Sequence, residues 1–360
     1  MPVEINGLLN HNLGSELVPT PMSHFDMDAI ARQARLHDEG GYDRVLIANA
    51  ATMPDNISIA AYVAGITQRL GVMLAHRPGF IAPTMGARLL ATLDHLLEGR
   101  LAVHIISAAS DIETQADGDF LTKEERYARS GEYIAILRAI WGSDAPIDHD
   151  GAFYRFRAGF AEVKPLQKAG IPVYFGGMSP AALSVGGQYA DTFATLSDTV
   201  EGMTQVVSTV RAAAAPHHRD PAFLMSIRLI VADGEKDAWA RADTVREQII
   251  AASPRLAQNI VAAKADGFQR TAELAARGDR LEKCFWNGIN QLRGGQSNSG
   301  TLVGDPDQIV DALLDYYDAG VAKFILRGFD PVEDTVRIGR DVIPLLRARV
   351  AERDAAKAAA

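Results

Sequence analysis

The feature that most constrains this chain is a repeated alternation: short apolar runs, each followed by a stretch with helical periodicity. Val3–Asn10, Arg44–Ala48 (RVLIA), Leu70–Ala75 (LGVMLA), Leu101–Ile106, Val173–Phe175, Thr192–Thr195, Phe223–Val231 (FLMSIRLIV) and Lys323–Leu326 (KFIL) read as strands. They lack the apolar–polar alternation of a strand with one wet face, so they belong in a parallel sheet covered on both sides. Helices are expected at Asp26–Glu39, Ile57–Ile66, Thr84–Glu98, Lys123–Trp141, Val200–Ala213, Pro306–Ala319 and Val332–Val350, with another opening at Ser179-Pro180. About eight βα units closing on themselves make an α/β fold of the (β/α)8 TIM-barrel type, with its active site on the loops that follow the strands. A doubly wound open sheet competes, but it usually needs fewer strands. Gly142–Gly170 reads as a hairpin-like excursion. Glu235–Arg280 is almost all helix-forming, broken at Ser253-Pro254, and too long for one crossover helix. A single domain over 1–360 is therefore expected, with a helical insertion at about 235–300.

Pro172–Gln188, PVYFGGMSPAALSVGGQ, is the most informative of these units. A strand runs into Gly176-Gly177, and a helix opens at Ser179-Pro180. Serine is a favoured N-cap, and proline suits the first helical turn. Glycines let backbone N–H groups approach an anion, and the helix N-terminus adds a partial positive charge. The segment therefore reads as a phosphate cup, although an ordinary βα turn that needs glycine for its dihedrals would look the same.

Composition narrows the partners. The net charge of −9 and the absence of a Lys/Arg cluster argue against a nucleic-acid surface. No stretch is apolar enough to span a bilayer, and MPVEINGLLNHNLG has no basic region of a signal peptide. With Cys284 the lone cysteine, no intrachain disulfide is possible, and a cytoplasmic location is expected. The nine histidines show neither HxxH nor HExxH spacing, so no metal site is expected. A GxSxG elbow, a Walker loop and a GxGxxG fingerprint are also missing.

If the barrel closes, the informative residues follow its strands: His11, Asn49–Asp55, Arg77, Ser107, Gly176–Ser179, Arg228 and Arg327. His104 lies within the fourth strand. Arg77, Arg228, Arg293 and Arg327 at one mouth would suit an anionic ligand, since guanidinium offers paired donors to phosphate or sulfonate oxygens.

GYDRVLI, ITQRLGVMLAHRPGFIAPTMGARLLATLDHLLEGR, ERYARSGEY, PVYFGGMSPAA, SIRL and LRGGQSNSGTLVGDP occur in order along nearly the whole chain. In these segments the chain resembles the bacterial-luciferase-like flavin barrels, and most of all the alkanesulfonate monooxygenases that use reduced flavin. The resemblance implies FMN, used as FMNH2, with its phosphate on Gly177, Met178, Ser179 and Tyr127. The ring would lie against His104 and Ser107, with Met53 and Arg77 nearby. It further implies a separate NAD(P)H flavin reductase as partner, O2 as co-substrate, and a sulfonate-type substrate that leaves as aldehyde and sulfite. Arg228 and Arg293 would hold the sulfonate or guard the site, His11 is the third catalytic candidate, and the segment around Gly294–Gly300 resembles a lid. A homodimer or homotetramer is expected.

Four positions depart from the alkanesulfonate pattern. Met53 replaces a cysteine, Leu196 a tryptophan, Ile230 a histidine and Phe329 a tyrosine, each removing a polar or hydrogen-bonding group from the expected pocket. The implied pocket is more apolar, or takes a different acid group. Two other functions fit the same barrel: hydride transfer with the deazaflavin F420, and a flavin-binding barrel without catalysis.

Overall fold

The computed structural model describes residues 2–107, 110–252, 266–292 and 300–359. Eight strands, β1 to β8 in chain order, occupy Glu4–Leu9, Arg44–Ile47, Gly71–His76, Leu101–Ile105, Val173–Gly176, Thr192–Leu196, Ala222–Val231 and Val321–Arg327. They follow one another around the sheet in sequence order. β8 pairs with β1, and β6 with β7 closes the ring, so the fold is an α/β (β/α)8 barrel. The cause is the one read from sequence: all six residues of β3 and eight of the ten in β7 are buried. The barrel therefore prevails over the open sheet.

Two further short strands were not expected. Phe285–Trp286 pairs antiparallel with Thr301–Gly304, which runs parallel to the end of β7, with Thr301 opposite Arg228. The excursion at 142–170 does contain a hairpin, Ile147–Asp150 against Arg155–Gly159. The described residues of Glu235–Arg280 are largely helical, as their composition suggested. Helices at Glu235–Ala252 and Asp266–Ala276 are followed by the Phe285–Trp286 strand and a short helix, Gly288–Leu292. Ser253-Pro254, Arg293 and the segment to Ser299 lie outside the described residues.

The chain divides into two compact units. One comprises Leu46–Phe193 and Val210–Pro221. Its long helix Lys123–Gly142 starts with a reciprocal capping box between Thr122 and Glu125, and buries Arg126, Ser130, Tyr133 and Leu137 along one face. Gly86 lets the neighbouring helix Pro83–Leu96 approach, because a Cβ there would overlap the Tyr133 hydroxyl. The other unit comprises Met1–Val45, Ala194–Thr209 and Ala222–Ala360. Ile230, Val245, Ile249, Trp286, Ile289, Val303 and Phe329 form one of its cores. Cys284 is buried here too, and burial pushes its thiol up to about 11, which makes it an inert apolar group rather than a nucleophile. Among the described residues no helix is long and apolar enough to cross a membrane.

Candidate active site

The first unit holds all the residues that sequence assigned to cofactor binding: Met53, Arg77, His104, Ser107, Tyr127, Gly177, Met178 and Ser179. The strand β5 ends at Gly176, and Gly177 turns the chain with φ of +121°, a conformation that L side chains rarely adopt. Ser179 caps the helix Pro180–Tyr189, its side chain accepting from Ala182 N at 3.3 Å, with Pro180 in the first turn. Over this turn stands Tyr127. A Cβ built on Gly177 would lie 2.8 Å from the tyrosine hydroxyl oxygen and 2.8 Å from Ala182 Cβ. The Tyr127 ring also packs on Phe175, centroids 6.0 Å apart. A helix N-terminus, a glycine turn and a phenolic hydroxyl thus converge where an anion can be held.

Ser107 follows the neighbouring strand, β4. β4 and β5 run parallel with His104 opposite Tyr174 and Ile105 opposite Phe175, so Ser107 and Gly177 leave at the same level. Ser107 Oγ is 2.9 Å from Ser130 Oγ, and Ser130 donates to Arg126 O at 2.8 Å. Arg126 in turn holds Ser107 O at 3.0 Å, Leu121 O at 2.6 Å and Asp111 Oδ1 at 2.8 Å. Its guanidinium is a structural clamp for the strand exit.

Arg77 is not a free cation. It is buried, paired with Glu113 and with Asp117 at 3.2 Å, and donates to Asn49 O at 3.3 Å. Both carboxylates belong to the helix Asp111–Ala116 or the turn after it. Its charge is therefore already balanced, and the expectation of Arg77 as an anion ligand does not follow from its surroundings. Next to it His76 is buried, with Nε2 at 2.8 Å from Tyr133 Oη, and burial pushes its imidazolium down to about 4. Burial pushes half-buried His104 to about 4 as well, so both rings are neutral near pH 7. Met53 is half-buried in the loop after β2, its N–H bonded to Ala50 O at 2.9 Å.

The remaining candidates belong to the other unit. Arg228 is 1% exposed, pairs with Glu16 and lies 4.8 Å from the Phe329 ring centroid. His11 is tied to its own loop, with Nε2 3.0 Å from Met22 O and its ring stacked 6.4 Å from Phe25. Since a carbonyl only accepts, Nε2 carries the proton. Arg293 lies outside the described residues.

Residues 7–323 match the model of one family, described as luciferase-like monooxygenase. The chain belongs to the luciferase-like monooxygenase family. Solved structures repeat the fold at low identity. A riboflavin lyase (RcaE) with modified FMN and riboflavin superposes with a TM-score of 0.79, at 17% identity over 97% of this chain and 92% of that one. EDTA monooxygenase (EmoA) from Chelativorans sp. BNC1 gives 0.79 at 17% identity, covering 97% and 94%. An F420-dependent secondary alcohol dehydrogenase in complex with an F420-acetone adduct gives 0.69 at 18% identity, covering 96% and 99%.

The residues around the candidate site that sequence reading missed touch the candidates from behind. Arg126 and Ser130 lie four apart on one helix face, a spacing visible in ERYARSGEY, but a buried serine at that spacing reads as simple packing. Glu16 is 212 residues from Arg228, and no local pattern announces that pair.

Proposed function

We propose that this luciferase-like monooxygenase is the oxygenase of a two-component system. It takes FMNH2 from a separate NAD(P)H flavin reductase and, with O2, oxygenates an organosulfur substrate, desulfonating a sulfonate to an aldehyde and sulfite. The observation that carries the reading is the cup: Tyr127 over Gly177, at the N-terminus of the helix that Ser179 caps. A side chain at Gly177 would fill this cradle, and its donors match a phosphate rather than a cation. Gly177, Met178, Ser179 and Tyr127 would hold the FMN phosphate, with Ser107, His104 and Met53 toward the ring. Reduced FMN, when bound, supplies the electrons that activate O2, which no side chain of this chain can supply.

For the substrate, Arg228 would orient an anionic headgroup, with Arg293 as its proposed partner and His11 as a third candidate. Ile230 and Phe329 stand where the alkanesulfonate pattern has polar groups, which favours a substrate with a sizeable apolar part. An anion at Arg228 has to share it with Glu16, so the headgroup seat is selective rather than strongly attractive. Balance is kept if one O2 oxygen ends in the aldehyde and the other in water. As working context we place the protein in the cytoplasm, as a homodimer or homotetramer of a single luciferase-like domain.

The test is sulfite release from short, long and sugar-derived sulfonates, with a flavin reductase and NADH supplied. Sulfite formed only when reductase and O2 are both present is the expected result. The second reading, hydride transfer with F420, is favoured by the fold shared with the F420-dependent dehydrogenase. Reduction of F420 by an alcohol without O2, and no sulfite from any sulfonate, would establish it instead.

A further inference from the structure

The hydrogen-bond chain behind Ser107 has a direction. Arg126 O is a carbonyl and can only accept, so the single hydroxyl proton of Ser130 is spent on it at 2.8 Å. In that arrangement Ser107 Oγ, 2.9 Å from Ser130 Oγ, donates its own proton to Ser130. What Ser107 presents on its remaining side is lone pairs. Ser130 is 1% exposed, so its bond is shielded from bulk water. Arg126 secures both ends of the chain, since its carbonyl receives the Ser130 proton while its Nε holds Ser107 O at 3.0 Å.

We propose that Ser130 and Arg126 lock Ser107 as a hydrogen-bond acceptor, and that Ser107 thereby selects reduced over oxidised FMN by accepting from the ring N–H that only the reduced form carries. This rests on the flavin reading above. The oxidised ring has a bare acceptor nitrogen, N5, where the reduced ring has N–H. Two acceptors facing each other leave both unsatisfied, whereas N–H to hydroxyl is an ordinary bond. Such discrimination needs a group whose donor role has been removed in advance, and a free serine hydroxyl would turn to suit either redox state. Ser107 is a positioning and selectivity residue in this scheme, and Ser130 acts only through it.

The experiment compares the wild type with Ser107→Ala and Ser130→Ala. Each is titrated anaerobically with reduced FMN and separately with oxidised FMN, and the midpoint potential of bound FMN is measured. One neutral hydrogen bond gained or lost corresponds to roughly fivefold to tenfold in affinity. Ser107→Ala is expected to narrow the preference for reduced FMN by about that factor and to move the bound potential to more negative values. Ser130→Ala is expected to do the same by a different route: it frees the Ser107 proton, so binding of oxidised FMN tightens. Equal weakening of both redox forms with an unchanged potential would overturn the proposal, because a purely structural role, or contact with the N3–H that both forms carry, gives that result. A wild type that binds FMN in neither state would contradict the flavin reading itself.

Discussion

A Cβ on Gly177 would stand 2.8 Å from the Tyr127 hydroxyl oxygen, in a residue whose φ is +121°. Gly177→Ala is therefore strained twice, by backbone and by contact, and should cost about 1–3 kcal/mol of stability in chemical denaturation. Tyr127→Phe removes only the hydroxyl and should weaken FMN binding about tenfold and riboflavin binding little. Equal loss for both ligands would place Tyr127 away from the phosphate.

Arg126 and Asp111 form an ion pair at 2.8 Å whose partners are 2% and 69% exposed. Removing the arginine strands two carbonyls and a buried space, so Arg126→Ala should destabilise by about 2–4 kcal/mol. Asp111→Asn should cost under about 1 kcal/mol, because the carboxylate is mostly solvated and Arg126 keeps Leu121 O and Ser107 O. Denaturant midpoints of the two variants check the contrast. Similar losses would mean that the charge pair, not the clamp on the strand exit, holds this corner.

His37, His76 and His104 share one electrostatic situation: burial pushes each from 6.5 to about 4. Their folded-state values lie below the unfolded ones, so unfolding takes up protons between these limits. Stability should be level above about pH 6.5, decline as pH falls toward 4, and lose no more from these groups below that. Replacing His76 by Gln should flatten the decline by up to about 1.4 kcal/mol per pH unit. Thermal melts across pH 4 to 8 measure it, and an unchanged slope would mean that His76 is solvated in the folded protein.

The ring strands were legible because burial on both faces leaves a continuous apolar run, as in Gly71–His76 and Ala222–Val231. The Gly177 turn and the Ser179 cap were legible because glycine, serine and proline each carry a local backbone meaning in GGMSP. Charge was not. Arg77 and Arg228 resemble ligand cations in sequence, yet Glu113, Asp117 and Glu16 reach them from distant segments. Thr301–Gly304 was missed as well: four residues after a glycine- and serine-rich run give too short a pattern, and their strand state is set by pairing with β7.

Arg228→Lys keeps the charge beside Glu16 but loses the planar fork and the face packed on Phe329. Steady-state kinetics with a sulfonate should show KM raised about tenfold or more, while the Kd for FMN stays within about twofold. Parallel changes in both would assign Arg228 to flavin binding rather than to the substrate.

The most direct measurement is an anaerobic titration of the purified protein with reduced FMN and, in parallel, reduced riboflavin. Binding of reduced FMN at least about tenfold tighter than reduced riboflavin is the expected result, since only FMN carries the phosphate that the proposal places on the Tyr127–Gly177 turn and the Ser179-capped helix. Equal affinity for the two, or no binding of either, would contradict it.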